Sequence, residues 1–215
     1  MQLQVAMDVL TTEAALELAG KVAPHVEILE LGTPLVKSEG LAAITAVKRA
    51  HPDKIVLADL KTMDAGELEA DIAFTAGAGL VTVLGVAGDS TISGAVAAAK
   101  KHGKGVVVDL IGVADKARRA KEAVALGADF VEVHAGLDEQ AEEGFSFQTL
   151  LDAGREAGVP FSIAGGVRLD TIGQVQDAGA RVAVVGGAIY GAEDPTQAAA
   201  DLRAAIDAKT PTGVR

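Results

Sequence analysis

The sequence feature that most constrains the fold is a unit of one apolar strand and one helix, which recurs eight times. Predicted strand starts follow one another at intervals of about 25 residues, the kind of period that marks a repeated structural unit. The predicted strands span residues 3–7, 26–31, 54–60, 80–84, 105–111, 129–134, 161–164 and 181–185. The predicted helices span residues 12–22, 35–50, 65–76, 90–102, 115–126, 147–157, 168–178 and 195–208. Eight βα units with buried parallel strands predict a (β/α)₈ TIM barrel.

The predicted barrel is one α/β domain. It covers residues 1–209 without a domain-sized break, and residues 210–215 are expected to form a flexible tail. Thr11 or Thr12 is the expected cap of the first helix, and several helices are expected to end at a left-handed glycine, as at Gly77 and Gly158. A doubly wound open sheet is the alternative architecture.

Composition excludes several classes of function. The net charge of −11 argues against general binding to nucleic acid or to an anionic membrane. The absence of Cys excludes disulfides, thiolate metal ligands and a Cys nucleophile. No basic region followed by an apolar run begins the chain, and no stretch reaches about 18 apolar residues, so a cytoplasmic protein is expected.

Charged side chains stand where the predicted strands end. Active sites of TIM barrels are built at the carboxyl ends of the strands. Reading those positions gives Asp8, Glu30, Asp59, Lys61, Asp109 and His134. The sequence therefore predicts one shared site at that end of the barrel.

Asp59 and Lys61 are the centre of this expectation. They follow a short apolar run, and strand alternation places both on the inward side. Burying two opposite charges costs several kcal/mol per ion, which pairing repays only in part. A functional role is favoured, and a structural ion pair is the alternative.

The gathered carboxylates predict a cation. Asp8, Glu30, Asp59 and Asp109 would raise one another's pKa, and a hard divalent ion would relieve that repulsion. Glu30 and Asp59, on adjacent strands, are the predicted Mg²⁺ ligands, with Mn²⁺ as a substitute and Asp8 nearby on the substrate or in an outer position. Zinc is disfavoured because only His134 is placed to supply nitrogen.

Paired glycines after the last two strands predict a phosphate site. Gly165-Gly166 follows Ala164, and Gly186-Gly187 ends the eighth strand. Glycine lets backbone N–H groups approach an anion, and the loops after strands seven and eight are a frequent phosphate site in barrels. Arg168 would assist, or would be a solvated helix residue.

The loop 135–146 after strand six is the longest and carries four acidic residues. A mobile lid and a plain solvated loop are both open interpretations.

These residues resemble a known family. The stretch Asp59-Leu60-Lys61-Thr62-Met63-Asp64, together with Glu30-Leu31-Gly32-Thr33-Pro34 and His134-Ala135-Gly136, is similar to the orotidine 5′-phosphate decarboxylase suprafamily. Within it, the resemblance is to the Mg²⁺-dependent branch of 3-keto-L-gulonate-6-phosphate decarboxylases and 3-hexulose-6-phosphate synthases, over almost the whole chain. The decarboxylases carry Glu, Arg and Thr where this chain has Asp109, Leu137 and Ala164, and these departures favour the synthase members.

The resemblance implies an aldol addition of formaldehyde to D-ribulose 5-phosphate. Glu30 and Asp59 would hold Mg²⁺, and His134 would take the C1 proton. Lys61 would donate to the developing oxyanion, and Asp8 and Asp109 would orient the substrate. The family also implies a homodimer in which Asp64 enters the neighbouring subunit's site. Replacement of Arg by Leu137 would leave apolar room for formaldehyde.

Four other interpretations remain. The chain could be a 3-keto-L-gulonate-6-phosphate decarboxylase, or a sugar-phosphate-binding barrel without catalysis. A Schiff base on Lys61 is disfavoured because neighbouring carboxylates hold the amine protonated. Ribulose-phosphate 3-epimerase shares the barrel, but its metal histidines are absent after strands two and three.

Overall fold

Eight parallel strands close into a barrel in the computed structural model, which describes residues 1–209. The strands are Gln2–Met7 (β1), Ile28–Leu31 (β2), Ile55–Thr62 (β3), Leu80–Leu84 (β4), Gly105–Asp109 (β5), Phe130–His134 (β6), Phe161–Ala164 (β7) and Val182–Val185 (β8). The first strand pairs with the last, with Gln2 opposite Val182. This closure confirms the TIM barrel and rules out the open sheet. The tail expected at residues 210–215 lies outside the described residues.

Helices follow each strand and cover the outside of the barrel. They are Thr12–Val22 (α1), Thr33–Glu39 (α2), Ala42–Ala50 (α3), Gly66–Ala76 (α4), Asp89–His102 (α5), Lys116–Ala125 (α6), Leu137–Gln140 (α7), Phe147–Ala157 (α8), Ile172–Asp177 (α9), Gly187–Tyr190 (α10) and Pro195–Lys209 (α11). A short 3₁₀ turn, Ala23–His25, follows α1.

The predicted helix 35–50 is wrong as a single element. Gly40 ends α2 with φ 68°, and α3 starts at Ala42. Glycine adopts this left-handed conformation at little cost, so the chain turns there instead of continuing the helix. The predicted helix 168–178 is likewise too long, because α9 begins at Ile172 after a turn in which the Thr171 hydroxyl accepts the Arg168 backbone N–H at 2.9 Å.

The residues that begin or end three other helices were predicted correctly. Thr11 caps α1 by accepting the Ala14 backbone N–H at 3.2 Å. Gly77 and Gly158 end α4 and α8 in the left-handed conformation. These helices therefore begin and end where side-chain and glycine chemistry satisfies their terminal backbone groups.

The barrel interior contains both an apolar cluster and buried polar side chains. The apolar cluster consists of Ala6, Ile28, Leu57, Val107, Phe130, Ala164, Val182 and Val184. The larger apolar core lies between the outer face of the strands and the helices. Polar side chains are buried in the same interior, among them Gln4, Glu30, Asp59, Asp109 and Glu132.

Helices α4 and α5 pack in unusually close contact. A Cβ atom added at Gly66 would lie 1.9 Å from the backbone oxygen of Thr91. Glycine at this position is therefore what allows the first turn of α4 to approach α5.

Within residues 1–209, none of the helices combines the length and apolar character needed to cross a membrane.

Candidate active site

A cavity of about 730 Å³ opens at the carboxyl ends of the strands. Its polar lining includes Asp8, Glu30, Asp59, Lys61, Glu132 and His134. The strand-end positions found in the sequence thus come together around one opening. Asp109 lies beneath it with no exposed surface, and Asp64 is exposed and is not part of the lining.

Lys61 bridges two carboxylates. Its Nζ lies 2.8 Å from Asp59 Oδ2 and 2.8 Å from Asp109 Oδ2. Burial alone would lower the pKa of Lys61, but the charges of Asp59 and Asp109 and their hydrogen bonds raise it above its ordinary value. Lys61 is therefore a fixed positive charge and a hydrogen-bond donor in the site.

The backbone around Lys61 departs from a regular strand. Lys61 has φ 47°, a left-handed conformation that is rare for a residue with a side chain. The pairing of β3 with β4 shifts register between Ala58 and Thr62. Strand alternation correctly predicted that Asp59 and Lys61 meet, although a bulge rather than a regular pleat brings them together.

His134 is oriented by its Nδ1 atom. Nδ1 lies 3.0 Å from Asp109 Oδ2 and 3.6 Å from Glu132 Oε1. A hydrogen on Nδ1 satisfies this contact, which leaves Nε2 as the basic nitrogen toward the cavity. Burial would raise the pKa of Asp109, but the His134 hydrogen bond and the charges of His134 and Lys61 lower it to about 2.

Glu132 is a site residue that the sequence analysis missed. It is 3% exposed, and its Oε2 accepts a hydrogen bond of 3.3 Å from the Ser162 hydroxyl. Burial, followed by the charges of Asp109 and Glu30, raises the pKa of Glu132 well above its ordinary value. Alternation could have found it, because residue 132 shares the inward side of β6 with residue 134.

Glu30 and Asp59 offer oxygen atoms suited to a hard cation. Gln4 Nε2 donates to Glu30 Oε2 at 2.7 Å, whereas Oε1 accepts no hydrogen bond from residues 1–209. Burial and the charge of Asp59 raise the pKa of Glu30 to about 8. A divalent cation would relieve this repulsion, and an all-oxygen donor set is the kind that Mg²⁺ prefers.

A second group of potential ligand atoms lies deeper. Atoms of Asp109, Glu132 and His134 lie within 4.8 Å of one another. Lys61 Nζ lies 2.8 Å from both Asp109 Oδ2 and Asp59 Oδ2, so the ammonium charge does not distinguish the two groups. The deeper group includes His134, whose Nδ1 is already engaged by Asp109 at 3.0 Å, whereas Glu30 and Asp59 offer only oxygen atoms. An all-oxygen donor set suits Mg²⁺ better, so the Glu30–Asp59 pair is the preferred candidate.

Backbone of the last two βα loops forms the opposite wall of the cavity. Gly165 and Gly166 have φ values of 94° and 78°, and a Cβ at Gly165 would lie 2.3 Å from the Ala135 oxygen. The other lining residues from this part of the chain are Ala164, Val167, Arg168, Val184, Gly186, Gly187, Ala188 and Tyr190. Gly186-Gly187 directly precedes a helix, the short α10 that starts at Gly187, although the predicted helix here began only at residue 195. Gly165-Gly166 does not, because α9 begins only at Ile172.

The loop 135–146 contains the short helix α7, which the sequence analysis did not predict. Gln140 Nε2 donates to the Ala135 oxygen at 2.8 Å and closes this turn. Leu137 is 77% exposed and lines the cavity. An apolar side chain therefore stands at the mouth, a few residues after His134.

A smaller cavity of about 520 Å³ lies outside the barrel, between the end of this loop and α6 and α8. Its lining includes Glu142, Glu143 and Glu156 and no strand residue. The larger cavity, which holds the ion pair and His134, is therefore the candidate active site.

Comparison with known proteins gives concordant matches. The model of the orotidine 5′-phosphate decarboxylase / HUMPS family matches residues 1–202. The chain is 72% identical over 206 residues to the 3-hexulose-6-phosphate synthase of Mycobacterium gastri, covering 96% of this chain and 100% of that protein. It is 49% identical over 200 residues to the enzyme of the same name from Methylomonas aminofaciens, covering 93% of this chain and 96% of that protein. A crystal structure of a 3-hexulose-6-phosphate synthase is similar with a TM-score of 0.94 at 73% identity, over 95% of this chain and 99% of that chain.

Proposed function

The chain belongs to the orotidine 5′-phosphate decarboxylase / HUMPS family and is an enzyme, and we propose that it adds formaldehyde to D-ribulose 5-phosphate. The product of this aldol reaction is D-arabino-hex-3-ulose 6-phosphate. Full-length similarity to proteins named 3-hexulose-6-phosphate synthase supports the substrate pair. The observation that carries the chemistry is a base, His134, held opposite a Lys61 ammonium at the mouth of one cavity.

His134 starts the proposed reaction. Its Nε2 takes a proton from C1 of the ketose phosphate, while Asp109 holds Nδ1–H at 3.0 Å and stabilises the imidazolium that forms. Lys61 donates a hydrogen bond to the oxygen at C2, where negative charge develops. C1 of the enediolate then forms a bond to the formaldehyde carbon, and the new alkoxide takes the proton back from His134.

Glu30 and Asp59 would hold a divalent cation, Mg²⁺ or Mn²⁺. When bound, the cation supplies Lewis-acid stabilisation of the charge that develops on the ketose oxygens. Asp59 is prepared for this role because Thr33 Oγ1 donates to its Oδ2 at 2.6 Å and fixes the carboxylate. Asp8, at the mouth of the cavity, would hydrogen-bond to the sugar.

The phosphate is proposed to lie against the Gly165-Gly166 and Gly186-Gly187 loops. Gly187 starts α10, in which Ile189 N–H already donates to the Gly186 oxygen at 2.8 Å. The N–H groups of Gly187 and Ala188, which precede Ile189, would be the ones to face the anion. Arg168 lines the same cavity but also pairs with Asp170 at 2.6 Å. The anion would be held mainly by backbone, with Arg168 in an assisting position.

We propose that the active unit is a homodimer. Asp64 is exposed in a single chain. Large apolar side chains are also exposed in the same β3–α4 unit, namely Met63 (55%), Leu68 (65%) and Ile72 (44%), and Val86 (49%) is exposed in the next loop, after β4. Contact with a second copy would bury this surface. It would also carry Asp64 toward the neighbouring site.

The direct test follows formaldehyde in the presence of D-ribulose 5-phosphate and Mg²⁺. We expect loss of formaldehyde that EDTA stops. In His134→Ala, kcat should be at least a hundredfold lower, in line with the usual contribution of a general base. In Asp59→Ala, kcat should also fall steeply, because a proposed ligand of the cation is lost. Asp53→Ala is the matched control, because Asp53 is exposed just before the opposite end of β3.

Two outcomes would redirect the proposal. Release of CO₂ from 3-keto-L-gulonate 6-phosphate without formaldehyde loss would place the chain among the decarboxylases. Binding of D-ribulose 5-phosphate without exchange of a C1 proton for solvent deuterium would leave only a binding protein. Cytoplasmic location stays a prediction of the sequence.

A further inference from the structure

Thr82 lies opposite the irregular part of β3. Ala58 pairs with Val81 and Thr62 with Val83, so residues 59–61 of one strand face residue 82 alone. Such a bulge interrupts the backbone hydrogen bonds that a regular pair of parallel strands would make. The interrupted positions are the ones that carry the Asp59 and Lys61 side chains.

The Thr82 hydroxyl replaces the missing backbone partner. Its Oγ1 accepts the Lys61 backbone N–H at 2.9 Å and donates to Asp59 Oδ1 at 2.7 Å. Thr82 is 1% exposed, so water cannot serve these groups in its place. One buried hydroxyl therefore holds the two charged residues of the bulge at once.

Both contacts have consequences for the site. Lys61 keeps a left-handed φ of 47°, which costs conformational energy unless the surroundings hold it. Asp59 has Thr82 on Oδ1, whereas Thr33 and the Lys61 ammonium lie on Oδ2. Thr82 thereby sets the direction in which the carboxylate presents its remaining lone pairs.

We propose that Thr82 is a positioning residue, whose hydroxyl holds Asp59 in the orientation that binds the divalent cation and Lys61 in the orientation that meets the substrate oxygen. The proposal rests on the proposed function for the nature of the cation and the substrate. The two hydrogen bonds of the Thr82 hydroxyl at the bulge do not depend on that function.

Thr82→Val removes the hydroxyl and keeps the shape of the side chain. Thr82→Ser restores the hydroxyl, and Thr91→Val is the matched control at a buried threonine of α5. We would measure Mn²⁺ affinity by electron paramagnetic resonance, kcat at saturating metal, and exchange of the Lys61 amide hydrogen by NMR. Circular dichroism would establish that each variant is folded.

We expect Thr82→Val to weaken Mn²⁺ binding at least tenfold, to lower kcat at saturating metal at least tenfold, and to speed Lys61 amide exchange. In Thr82→Ser, the Mn²⁺ affinity, kcat and the Lys61 amide exchange rate should each lie within about threefold of the wild-type value. Wild-type metal affinity and amide protection in folded Thr82→Val would overturn the proposal, as would a Ser variant as impaired as the Val variant.

Two measurements still test the role of Thr82 if the variant does not fold or the wild type is inactive. If Thr82→Val does not fold, an unprotected Lys61 amide in the wild type would still contradict the contact. If the wild type consumes no formaldehyde, the proposed function fails, whereas the Lys61 amide and Mn²⁺ affinity continue to test Thr82.

Discussion

Glu132 is a buried carboxyl surrounded by other carboxyls. Its raised pKa comes from burial first and then from the charges of Asp109 and Glu30. Such a group binds its proton more tightly in the folded state than in the unfolded state. Its contribution to the free energy of unfolding is therefore complete below the unfolded pKa of about 4.5 and is lost as pH rises toward the folded pKa.

The first prediction concerns Glu132→Gln, which resembles the protonated side chain but cannot ionise. With EDTA present, the free energy of unfolding of the wild type should fall as pH rises from about 5 to about 8, and the variant should lose part of that fall. Urea titrations across this range measure it. Glu30, with a pKa of about 8, contributes in the same direction and remains in the variant. Glu156→Gln on the surface is the control. If the free energy of unfolding changes equally with pH in all three proteins, Glu132 does not have a raised pKa in the folded state.

The second prediction concerns Lys61. Because Asp59 and Asp109 raise its pKa, the amine stays protonated and is a poor nucleophile. Borohydride added with D-ribulose 5-phosphate should leave the protein mass unchanged by electrospray. A reduced adduct on Lys61 would show that the enzyme works through a Schiff base instead.

Most strand-end residues of the site could be predicted from the sequence, because a charge at the end of an apolar run is conspicuous. Glu30, Asp59, Lys61 and His134 were found in this way and line the cavity. Thr82 and Gln4 were not predicted as site residues. An uncharged polar residue inside a strand does not indicate a site unless the residue that it contacts is known. Both contacts join different strands, Thr82 to Asp59 and Gln4 to Glu30.

At the scale of elements, two glycines in helices have opposite surroundings. A Cβ at Gly66 of α4 would meet the Thr91 oxygen at 1.9 Å, whereas nothing lies within 4 Å of a Cβ at Gly20 of α1. We expect Gly66→Ala to lower the free energy of unfolding by about 1–3 kcal/mol through overpacking. Gly20→Ala should raise it by about 0.5–1 kcal/mol through helix propensity. Chemical denaturation of both variants tests the close approach of α4 and α5, and a stabilised Gly66→Ala would contradict it.

Helices with sharp end signals were predicted well, and short ones were not. Helix α8 has the predicted bounds, Phe147–Ala157, because an apolar face precedes a left-handed Gly158. Helices α7 and α10 have four residues each, too few for a periodic pattern. Helix α7 is held by a single side-chain hydrogen bond, from Gln140 Nε2 to the Ala135 oxygen, and one such contact leaves no periodic pattern in the sequence.

At the scale of the whole molecule, the proposed homodimer makes a quantitative prediction. If Asp64 acts in the partner's site, Asp64→Ala and His134→Ala subunits should each be inactive alone. Mixed dimers then contain one site with both residues intact. After random reassortment from mild denaturant, we expect about a quarter of wild-type activity, measured as formaldehyde loss. No recovery, despite mixed dimers shown by native mass spectrometry, would place Asp64 in its own subunit's site.

The architecture itself was the most predictable property. Eight apolar runs at a regular spacing leave few folds that bury every strand, and the structure has all eight strands in the expected order. The proposed dimer surface is harder to find in the sequence, because exposed apolar residues such as Met63 and Leu68 do not stand out among the buried ones.

The pairing of β1 with β8 has a consequence for synthesis of the chain. Gln2 cannot meet Val182 until the last strand has left the ribosome, which at about 5–20 residues per second takes roughly 10–40 s. Throughout that interval the nascent chain presents an unpaired strand edge to every other chain nearby. Force measurements on stalled nascent chains should therefore detect barrel closure only after residue 185 has emerged. The first strand pairs early with β2 on one side, but its other edge waits for the last strand of the chain.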